Sequence, residues 1–536
     1  MDAGIGNERV HDGFWLPREL RERFLRDAGW ETADLRGGAL GDVSAATGPG
    51  PAPDGAVRVR WPRLDAEGCA ELLAALQASR RVGGAEAAAR WEAALEGVVG
   101  GLADDLPAKL PLLSAATGYA PEMLVAALAG GDLVEPRSLR PALDFRPGWA
   151  AASGWVRHPS LGGRVRFYPH GTTGRACAAV RRQAPLFRPA PPADLTVGFA
   201  AGNVPGTAFV MTLLGSLANH ADAAGAAAPA VLVRNSRHEP LFTPWVLAAV
   251  ERVDPDLVAA VAATVWDYDD SAVQGRLLRA AGLLLAAADD GTIAALAALR
   301  DREAPRLRFH RHGHKVSFAV LGREWVSRPE APRLAALDSS FWDQNGCLSA
   351  RVHFVEGDAA AYAQALATEM RELGTRLPRG TTPRRLTRRA FDIYAALSGE
   401  GVRLFSSYDD DFVVALDGRT WRPDLLRRAV NACQGRVVVV RPVRDVKDVP
   451  TLLGALPAAN LQSLSVLLDG ARLEPFAAAA GARGVTAVRA LGRGAFPRLA
   501  WSWDGLLPAD VCCARPAGRF TSIESDAFET VAGAGG

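Results

Sequence analysis

The sequence predicts an α/β protein: a helical N-terminal region followed by two blocks in which strands alternate with helices. Three observations carry that reading. Apolar residues recur at three- and four-residue spacing between Asp65 and Gly131, as on one face of a helix. From Asp194 onward, short continuous apolar runs alternate with helical stretches, the pattern of a parallel sheet covered on both faces. At 536 residues the chain is also too long for a single core, so two or three domains are expected.

Composition excludes several classes of function. Lys plus Arg number 61 against 59 Asp plus Glu, which gives no general drive towards nucleic acid or an anionic membrane. The densest basic cluster, Arg384-Arg385-Leu386-Thr387-Arg388-Arg389, reads as a solvated helix face ahead of a dock for an acidic carrier protein. Six cysteines are scattered apart from the pair Cys512-Cys513, with no CxxC, so neither a disulfide framework nor zinc-ligand spacing is present. The N-terminus shows no basic region leading into an apolar core, and no run of about twenty apolar residues occurs, so neither a signal peptide nor a membrane span is expected. A cytoplasmic, reducing compartment follows, and it suits a working thiol.

Taken in order, residues 1–55 read as irregular, with one short helix over Pro17–Ala28 and a Gly/Pro-rich loop over Gly48–Gly55. The helical faces that follow are Leu72, Leu73, Leu76, then Trp91, Ala94, Leu95, then Met123, Leu124, Ala127, Leu128. A Pro- and Gly-bearing connection runs from Pro136 to Gly163. Strands are expected at Leu195–Phe199, Ala230–Arg234, Ala263–Trp266 and Gly282–Ala286. Helices are expected at Thr207–His220 and Pro244–Val253, after the third strand, and from Gly291-Thr292. Ligands of such sheets bind beyond the carboxyl ends of the strands. The strand-end residues Asn203, Arg234–Arg237 and Asp289–Thr292 are therefore where a nucleotide is expected. An extended patch runs from Leu307 to Val320. The alternation resumes with a helix over Ala359–Leu373, strands at Arg436–Val440 and Leu464–Leu468, and a helix at Val449–Leu456 between them.

Between the two blocks, the polar, turn-prone segment Phe341–Ala350 contains a single cysteine, Cys347, directly before the alternating segment Arg351–Val355. A thiol at a turn-to-strand junction is both exposed and rigidly held, as a nucleophile needs to be. A lone cysteine is nevertheless more often a packed core residue.

The segment Asp343-Gln344-Asn345-Gly346-Cys347-Leu348-Ser349 resembles the active-site cysteine motif of LuxC-type acyl-CoA reductases. These are the reductase components of bacterial fatty acid reductases, within the aldehyde dehydrogenase superfamily. Other segments agree in order and spacing: Gly202–Gly206, Val231–Ser236, His314–Ala319, Gly435-Arg436 leading to Val446–Val449, and Asp504-Gly505. The resemblance runs from about residue 110 to 520, is strongest over 195–355, and leaves the first hundred residues without a match. It implies an aldehyde-dehydrogenase-like fold with a dinucleotide-binding domain over 151–320 and a catalytic domain carrying the thiol over 321–500; periodicity adds a mostly helical region over 1–150, and a C-terminal segment over 501–536 ends in small residues, Ala532–Gly536, expected to fray. A cleft between the two domains is also implied.

The implied reaction is reduction of an acyl thioester, on CoA or an acyl-carrier protein, to the aldehyde with NADPH. Cys347 would be the nucleophile, held as a thioester until hydride arrives. Asn203 would be the oxyanion donor, together with the backbone amide of Cys347. Arg234 stands where the superfamily usually has a ribose-touching lysine, and Arg237 where NAD-preferring members often place a glutamate. With Ser236 they favour a 2′-phosphate, hence NADPH. Gly291 and Thr292 open a helix whose amides could meet the pyrophosphate, although Asp289 and Asp290 would repel that anion or cap the helix, and no GxGxxG is present.

His310, His312 and His314 alternate, so they would share one face of a strand, but no fourth metal ligand can be named and a metal is not expected. The segment Arg308–Gly313 lacks the glutamate that activates water in hydrolytic aldehyde dehydrogenases, which points to reduction. An acyl ligase or thioesterase partner and an oligomer of identical chains are further implications. Two other readings stand beside this one: an oxidative aldehyde dehydrogenase, and a catalytically idle scaffold subunit of a fatty acid reductase complex.

Overall fold

The structure, a computed structural model, describes residues 10–25, 29–36, 39–40, 57–128, 136–145, 155–157, 164–170, 191–220, 225–267, 269–495, 503–512 and 520–524. The expected loop at Gly48–Gly55, most of the connection over Pro136–Gly163, and the tail at Ala532–Gly536 lie outside these residues. The chain forms two compact units, each assembled from three separate stretches. The first takes Met1–Asp144, Pro189–Gly313 and Pro508–Arg515; the second takes Phe145–Arg188, His314–Leu507 and Pro516–Gly536. Boundaries at 150, 320 and 500 would divide the chain into consecutive segments, whereas each unit here returns to the chain three times.

In the first unit the parallel sheet is as the apolar runs require. Its strands are β1 (Leu195–Phe199), β2 (Ala230–Arg234), β3 (Val261–Thr264), β4 (Leu283–Ala287) and β5 (Arg308–His312). All pair in parallel, in the order β5-β4-β1-β2-β3. β1, β3 and β4 are buried throughout and β2 in all but Arg234, because helices cover both faces and no residue can be spared for solvent. The strand order reverses between β1 and β4. That switch point is where doubly wound sheets take their ligands. Four helices follow the first four strands: α1 (Thr207–Ser216), α2 (Phe242–Val253), α3 (Ser271–Ala280) and α4 (Asp290–Glu303).

Of the helical faces, Leu72, Leu73, Leu76, Trp91, Ala94, Leu95, Met123 and Leu124 are buried while Ala127 and Leu128 are half-buried, on the helices Ala66–Ala78, Gly84–Thr117 and Pro121–Leu128. The residues before them are not simply irregular, however. His11–Asp12, Val57–Pro62, Trp30–Arg36 and Ala39–Leu40 form a four-stranded sheet in that order. Val57, Val59 and Trp61 point inward while Arg58 bonds across the pair to Asp34 at 2.7 Å. The alternation Val-Arg-Val-Arg-Trp is a strand signal, but its main partner, Trp30–Arg36, lies more than twenty residues away.

Among the described residues the second unit is built on a sheet of ten strands. Its parallel centre comprises β6 (Val316–Leu321), β7 (Ala350–Glu356), β8 (Val413–Asp417), β9 (Val437–Val443), β10 (Leu461–Leu467), β11 (Ala487–Ala490) and β12 (Phe520–Glu524). They lie in the order β8-β9-β7-β6-β10-β11-β12. Val402–Leu404 joins antiparallel beside β8, and Arg164–Pro169 antiparallel beside β12, followed by Val156–Arg157. Phe318, Val352, Phe354, Val439 and Val466 fill the core between sheet and helices.

One buried polar group sets an acid limit on this unit. His353 on β7 is completely enclosed, with Nε2 2.8 Å from the Ser339 hydroxyl and Nδ1 2.9 Å from the Tyr362 hydroxyl. Burial pushes its pKa down to about 3. The native state therefore refuses a proton that the unfolded chain accepts at the ordinary histidine value. The contribution is complete above that value and is lost as pH falls towards 3. Buried Asp338 and Glu239, pushed up by burial to about 6 and about 7, act with the opposite sign, losing stability as pH rises from the ordinary carboxylate range. In urea unfolding across pH 4–7, His353→Gln is expected to remove the acid-side loss and leave the carboxylate contribution. An unchanged slope in the variant would remove His353 as its source.

Candidate active site

The thiol loop follows the helix Glu330–Ser340 and a tight turn over Phe341–Gln344. Trp342, Asp343 and Gln344 have φ of 54°, 48° and 64°, three successive non-glycine residues in the left-handed region. Such backbone costs on the order of 1–2 kcal/mol per residue and persists where side chains over-determine it. Here they do. The Asp343 carboxylate is completely buried and accepts from Arg436 Nη2 at 2.8 Å, Gly380 N at 3.0 Å and Thr382 Oγ1 at 3.2 Å. Gln344 fixes itself to the start of β9, with Nε2 donating to Val437 O at 2.7 Å and Oε1 accepting from Val437 N at 2.8 Å. Its Nε2 also reaches Ala350 O at 3.1 Å. Arg436 is itself left-handed, with φ of 66°. Gly435-Arg436, matched in the sequence as a separate motif, is thus the counterpart of the cysteine segment.

Cys347 emerges from this clamp half-buried. Its carbonyl accepts from Ser317 Oγ on β6 at 2.8 Å, and Ser317 meets Ser463 Oγ on β10 at 2.9 Å. Beside it pack Leu348 and Ala487. The other described cysteines, Cys69, Cys433 and Cys512, are buried. Burial pushes the thiols of Cys69 and Cys433 up to about 12, where neither supplies thiolate at neutral pH. Cys177 and Cys513 lie outside the described residues.

A buried cation missed by sequence reasoning follows the thiol by four residues, on β7. Arg351, read as an ordinary strand residue, is buried, with Nη1 on Val430 O at 3.3 Å and no ion-pair partner among the described residues. Burial lowers its pKa from the ordinary arginine value, and interaction with Cys433 and with Cys347 opposes that fall.

In the first unit, Asn203 is exposed at the turn after β1, its carbonyl receiving the Tyr119 hydroxyl at 2.5 Å. The turn lies against the loop after β2: a Cβ on Gly202 would sit 2.0 Å from Ser236 Oγ. Ser236 is buried under that glycine and accepts from His238 N at 3.1 Å, a packing and capping position. Arg234 donates from Nε to Trp266 O at 2.8 Å, and Arg237 pairs with Asp267 beyond β3. Arg237 Nε is buried without a hydrogen-bond partner, a donor still to be satisfied.

At the end of β4, Asp289 caps α4. Its Oδ1 accepts from Thr292 N at 2.9 Å and its Oδ2 from Thr292 Oγ1 at 2.7 Å, which holds that carboxyl below the usual range. The Gly291-Thr292 amides expected for a pyrophosphate are therefore met at Thr292 by the protein's own carboxylate. The structure places Asn203 on the turn after β1 beside Arg234 at the end of β2 and Ser236 and Arg237 on the loop after it, with Gly291 and Thr292 beyond β4 on the other side of β1, while Cys347 belongs to the other unit. His310 and His312 are on edge strand β5; His314 falls beyond its end, so the three do not share a strand face. Among the described residues no group of three His, Cys, Asp or Glu is placed to hold a metal.

Comparison with known proteins gives the family and the fold. The family model for LuxC acyl-CoA reductase matches residues 179–511, more than half of the chain. Solved structures with the same fold include an aldehyde dehydrogenase from Brucella melitensis biovar abortus 2308 (14% identity, 84% of each chain, TM-score 0.53). Aldehyde dehydrogenase 21 from Physcomitrella patens is similar at 13% identity over 89% of each chain, with TM-score 0.56. A NAD-dependent benzaldehyde dehydrogenase from Corynebacterium glutamicum covers 92% of this chain and 95% of its own at 12% identity and TM-score 0.57. Among curated protein sequences no match is found. At such identities the structural likeness establishes the aldehyde dehydrogenase fold and nothing finer. The family match goes further: the chain belongs to the LuxC acyl-CoA reductase family, and is an oxidoreductase acting on aldehydes or acyl groups.

Proposed function

We propose that the chain reduces an acyl thioester to the aldehyde with NADPH, through a thioacyl intermediate on Cys347. The observation that carries this is the cysteine itself. It is half-exposed in a loop clamped by Asp343, Gln344 and Arg436, while the other described thiols are buried. The Cys347 thiolate attacks the carbonyl carbon, the C–S bond to the donor breaks, and the donor thiol leaves with a proton. After reduction at the same carbon, the Cys347–carbon bond breaks and the aldehyde departs. Both tetrahedral stages carry a negative oxygen, for which Asn203 is the proposed side-chain donor. Removing one such donor typically costs about 10²–10³ in kcat. Asn203→Ala is expected to slow both stages by that amount, read by single-turnover kinetics; a wild-type rate would discard the role. Arg308–Gly313 offers no carboxylate to direct water at the thioester, which favours reduction over hydrolysis.

Family membership implies a nicotinamide dinucleotide, which when bound supplies the hydride. The switch point between β1 and β4 fits such a group, and so does the unsatisfied buried Nε of Arg237. Arg234 and Arg237 are the residues proposed to hold the adenosine end and its 2′-phosphate. Asp267, which already shares Arg237, would favour bare ribose hydroxyls instead, so the comparison of NADPH with NADH decides between them. CoA or an acyl-carrier protein is the proposed acyl donor, with an acyl ligase or thioesterase as partner and a cytoplasmic setting. No helix among the described residues is long and apolar enough to cross a membrane.

The test is incubation with a series of acyl-CoA lengths and either nucleotide. The expected result is an acyl adduct by intact mass, and with NADPH an equal amount of aldehyde and oxidised cofactor. Carboxylate formed from aldehyde without any thiol acceptor would favour the oxidative reading. Absence of any adduct would favour the scaffold.

A further inference from the structure

Ser317 takes no part in the chemistry above, yet it is almost completely buried in the centre of the second unit's sheet, on β6. Its register is irregular on both sides. Against β7 it pairs with Ala350 while Phe318 pairs with Val352, which leaves Arg351 as an extra residue. Against β10, Val316 pairs with Leu461 and Phe318 with Leu464, so Gln462 and Ser463 together face Ser317. Such bulges are rare between parallel strands and re-aim a side chain. Here the hydroxyl is aimed at the thiol loop: Ser317 Oγ donates to Cys347 O at 2.8 Å and lies 2.9 Å from Ser463 Oγ. A serine has one proton to give, so Ser463 is the donor of the second bond. We propose that Ser317, backed by Ser463, is a positioning residue that aims the Leu348 amide as a further oxyanion donor at Cys347.

The aim follows from the two peptide planes that flank Cys347. Ser349 N donates to Gly346 O at 3.2 Å, closing a turn with Cys347 and Leu348 at its centre. The carbonyl before the cysteine is thus held by Ser349, and the carbonyl after it by Ser317. In a trans peptide the N–H points opposite to the C=O. The N–H groups of Cys347 and Leu348 are therefore both turned away from the donors that hold the carbonyls of their peptides. Neither meets an acceptor among the described residues. Leu348 is 6% exposed, and native structures rarely leave the amide of so buried a residue unpaired. Two successive amides in a turn form a concavity for an anion. This one adjoins the cysteine at which the acyl oxygen becomes negative.

The inference rests on the reading of Cys347 as the nucleophile, and two rates measured on the full chain separate them. One is acylation of Cys347 by an acyl-CoA, followed by quenched-flow intact mass. The other is alkylation by iodoacetamide at the same pH, in which the thiolate attacks a saturated carbon, iodide leaves and no oxyanion forms. Losing an oxyanion donor typically costs about 10²–10³ in kcat, and misplacing a reacting group by about 1 Å costs up to about 100-fold. Ser317→Ala is expected to slow acylation about 10- to 100-fold and to leave alkylation within about twofold of the parent. Ser463→Ala removes only the supporting bond, so a smaller loss of acylation is expected, again without effect on alkylation. Incorporating the α-hydroxy analogue of leucine at position 348 exchanges that one N–H for an oxygen and is expected to slow acylation by about 10²-fold.

Acylation at the parent rate in folded Ser317→Ala, or in the chain carrying the ester at position 348, overturns the inference and leaves Cys347 as the nucleophile. Equal losses in acylation and alkylation also overturn it, since Ser317 would then act on the thiol and not on the oxyanion. A parent chain that is alkylated at Cys347 but forms no acyl adduct overturns the reading of Cys347, and this inference with it. If urea unfolding shows that Ser317→Ala does not fold, Ser463→Ala and the ester at position 348 carry the same comparison.

Discussion

Cys347→Ala is expected to form no acyl adduct and to lose thioester reduction by about 10⁴-fold or more, the scale on which removing a covalent nucleophile acts. The structure makes this a clean experiment. Cys347 is tied to its surroundings through its carbonyl, which accepts from Ser317 and is unaffected by truncating the side chain. Its thiol is half-buried and packs beside Leu348 and Ala487, so the fold is expected to keep its stability within about 1 kcal/mol. Cys433→Ala provides the contrast. That thiol is completely buried and reaches Arg351 O at 3.2 Å, so its loss is expected to lower stability and leave adduct formation in place. Intact mass after incubation with acyl-CoA, alongside urea unfolding of both variants, checks the pair. An adduct surviving in Cys347→Ala would move the nucleophile elsewhere and end the proposal.

The second large effect is expected in stability. Asp343→Ala leaves the Arg436 guanidinium buried beneath the thiol loop with Pro378 O at 3.2 Å as its remaining hydrogen-bond partner among the described residues. It also puts alanine at φ 48°. Breaking a buried pair from one side costs about 3–5 kcal/mol, because the surviving charge stays uncompensated. Asp343→Asn keeps a side chain that tolerates left-handed backbone and can still accept from Gly380 N, so its loss should be smaller. Replacing both partners, Asp343→Ala with Arg436→Met, should recover part of the difference by removing the stranded charge. Urea unfolding with a constant m-value tests the series. A loss below about 1 kcal/mol for Asp343→Ala would mean that the ion pair does not hold the loop.

Arg436 and Asp343 also show what could and could not be read from the chain. β1, β2 and β4 were legible because each is a short apolar run bounded by turn residues, and burial on both faces leaves that mark locally. The cysteine loop was legible through resemblance, since seven consecutive residues matched a motif. Its backbone was not. Nothing in Trp-Asp-Gln announces three left-handed residues, because the groups that impose them, Arg436 and Val437, stand more than ninety residues away. Arg351 passed as an ordinary strand residue for the same reason: its partner is a backbone atom, Val430 O, and backbone atoms carry no sequence signal. The N-terminal sheet was missed although Val57–Trp61 alternates, since a strand is confirmed only by the segment it pairs with.

By itself the sequence determined the α/β class, the parallel sheet with its strand-end loops, and the cysteine segment, all of them properties of periodicity or of contiguous residues. Tertiary structure decided what joins distant residues. It set β12 against Arg164–Pro169 and built each unit from three stretches. It gave Ser236 to packing and Thr292 to Asp289, and it left one described thiol partly open to solvent. Local patterns report which face of an element is apolar. They do not report which buried donor meets which acceptor.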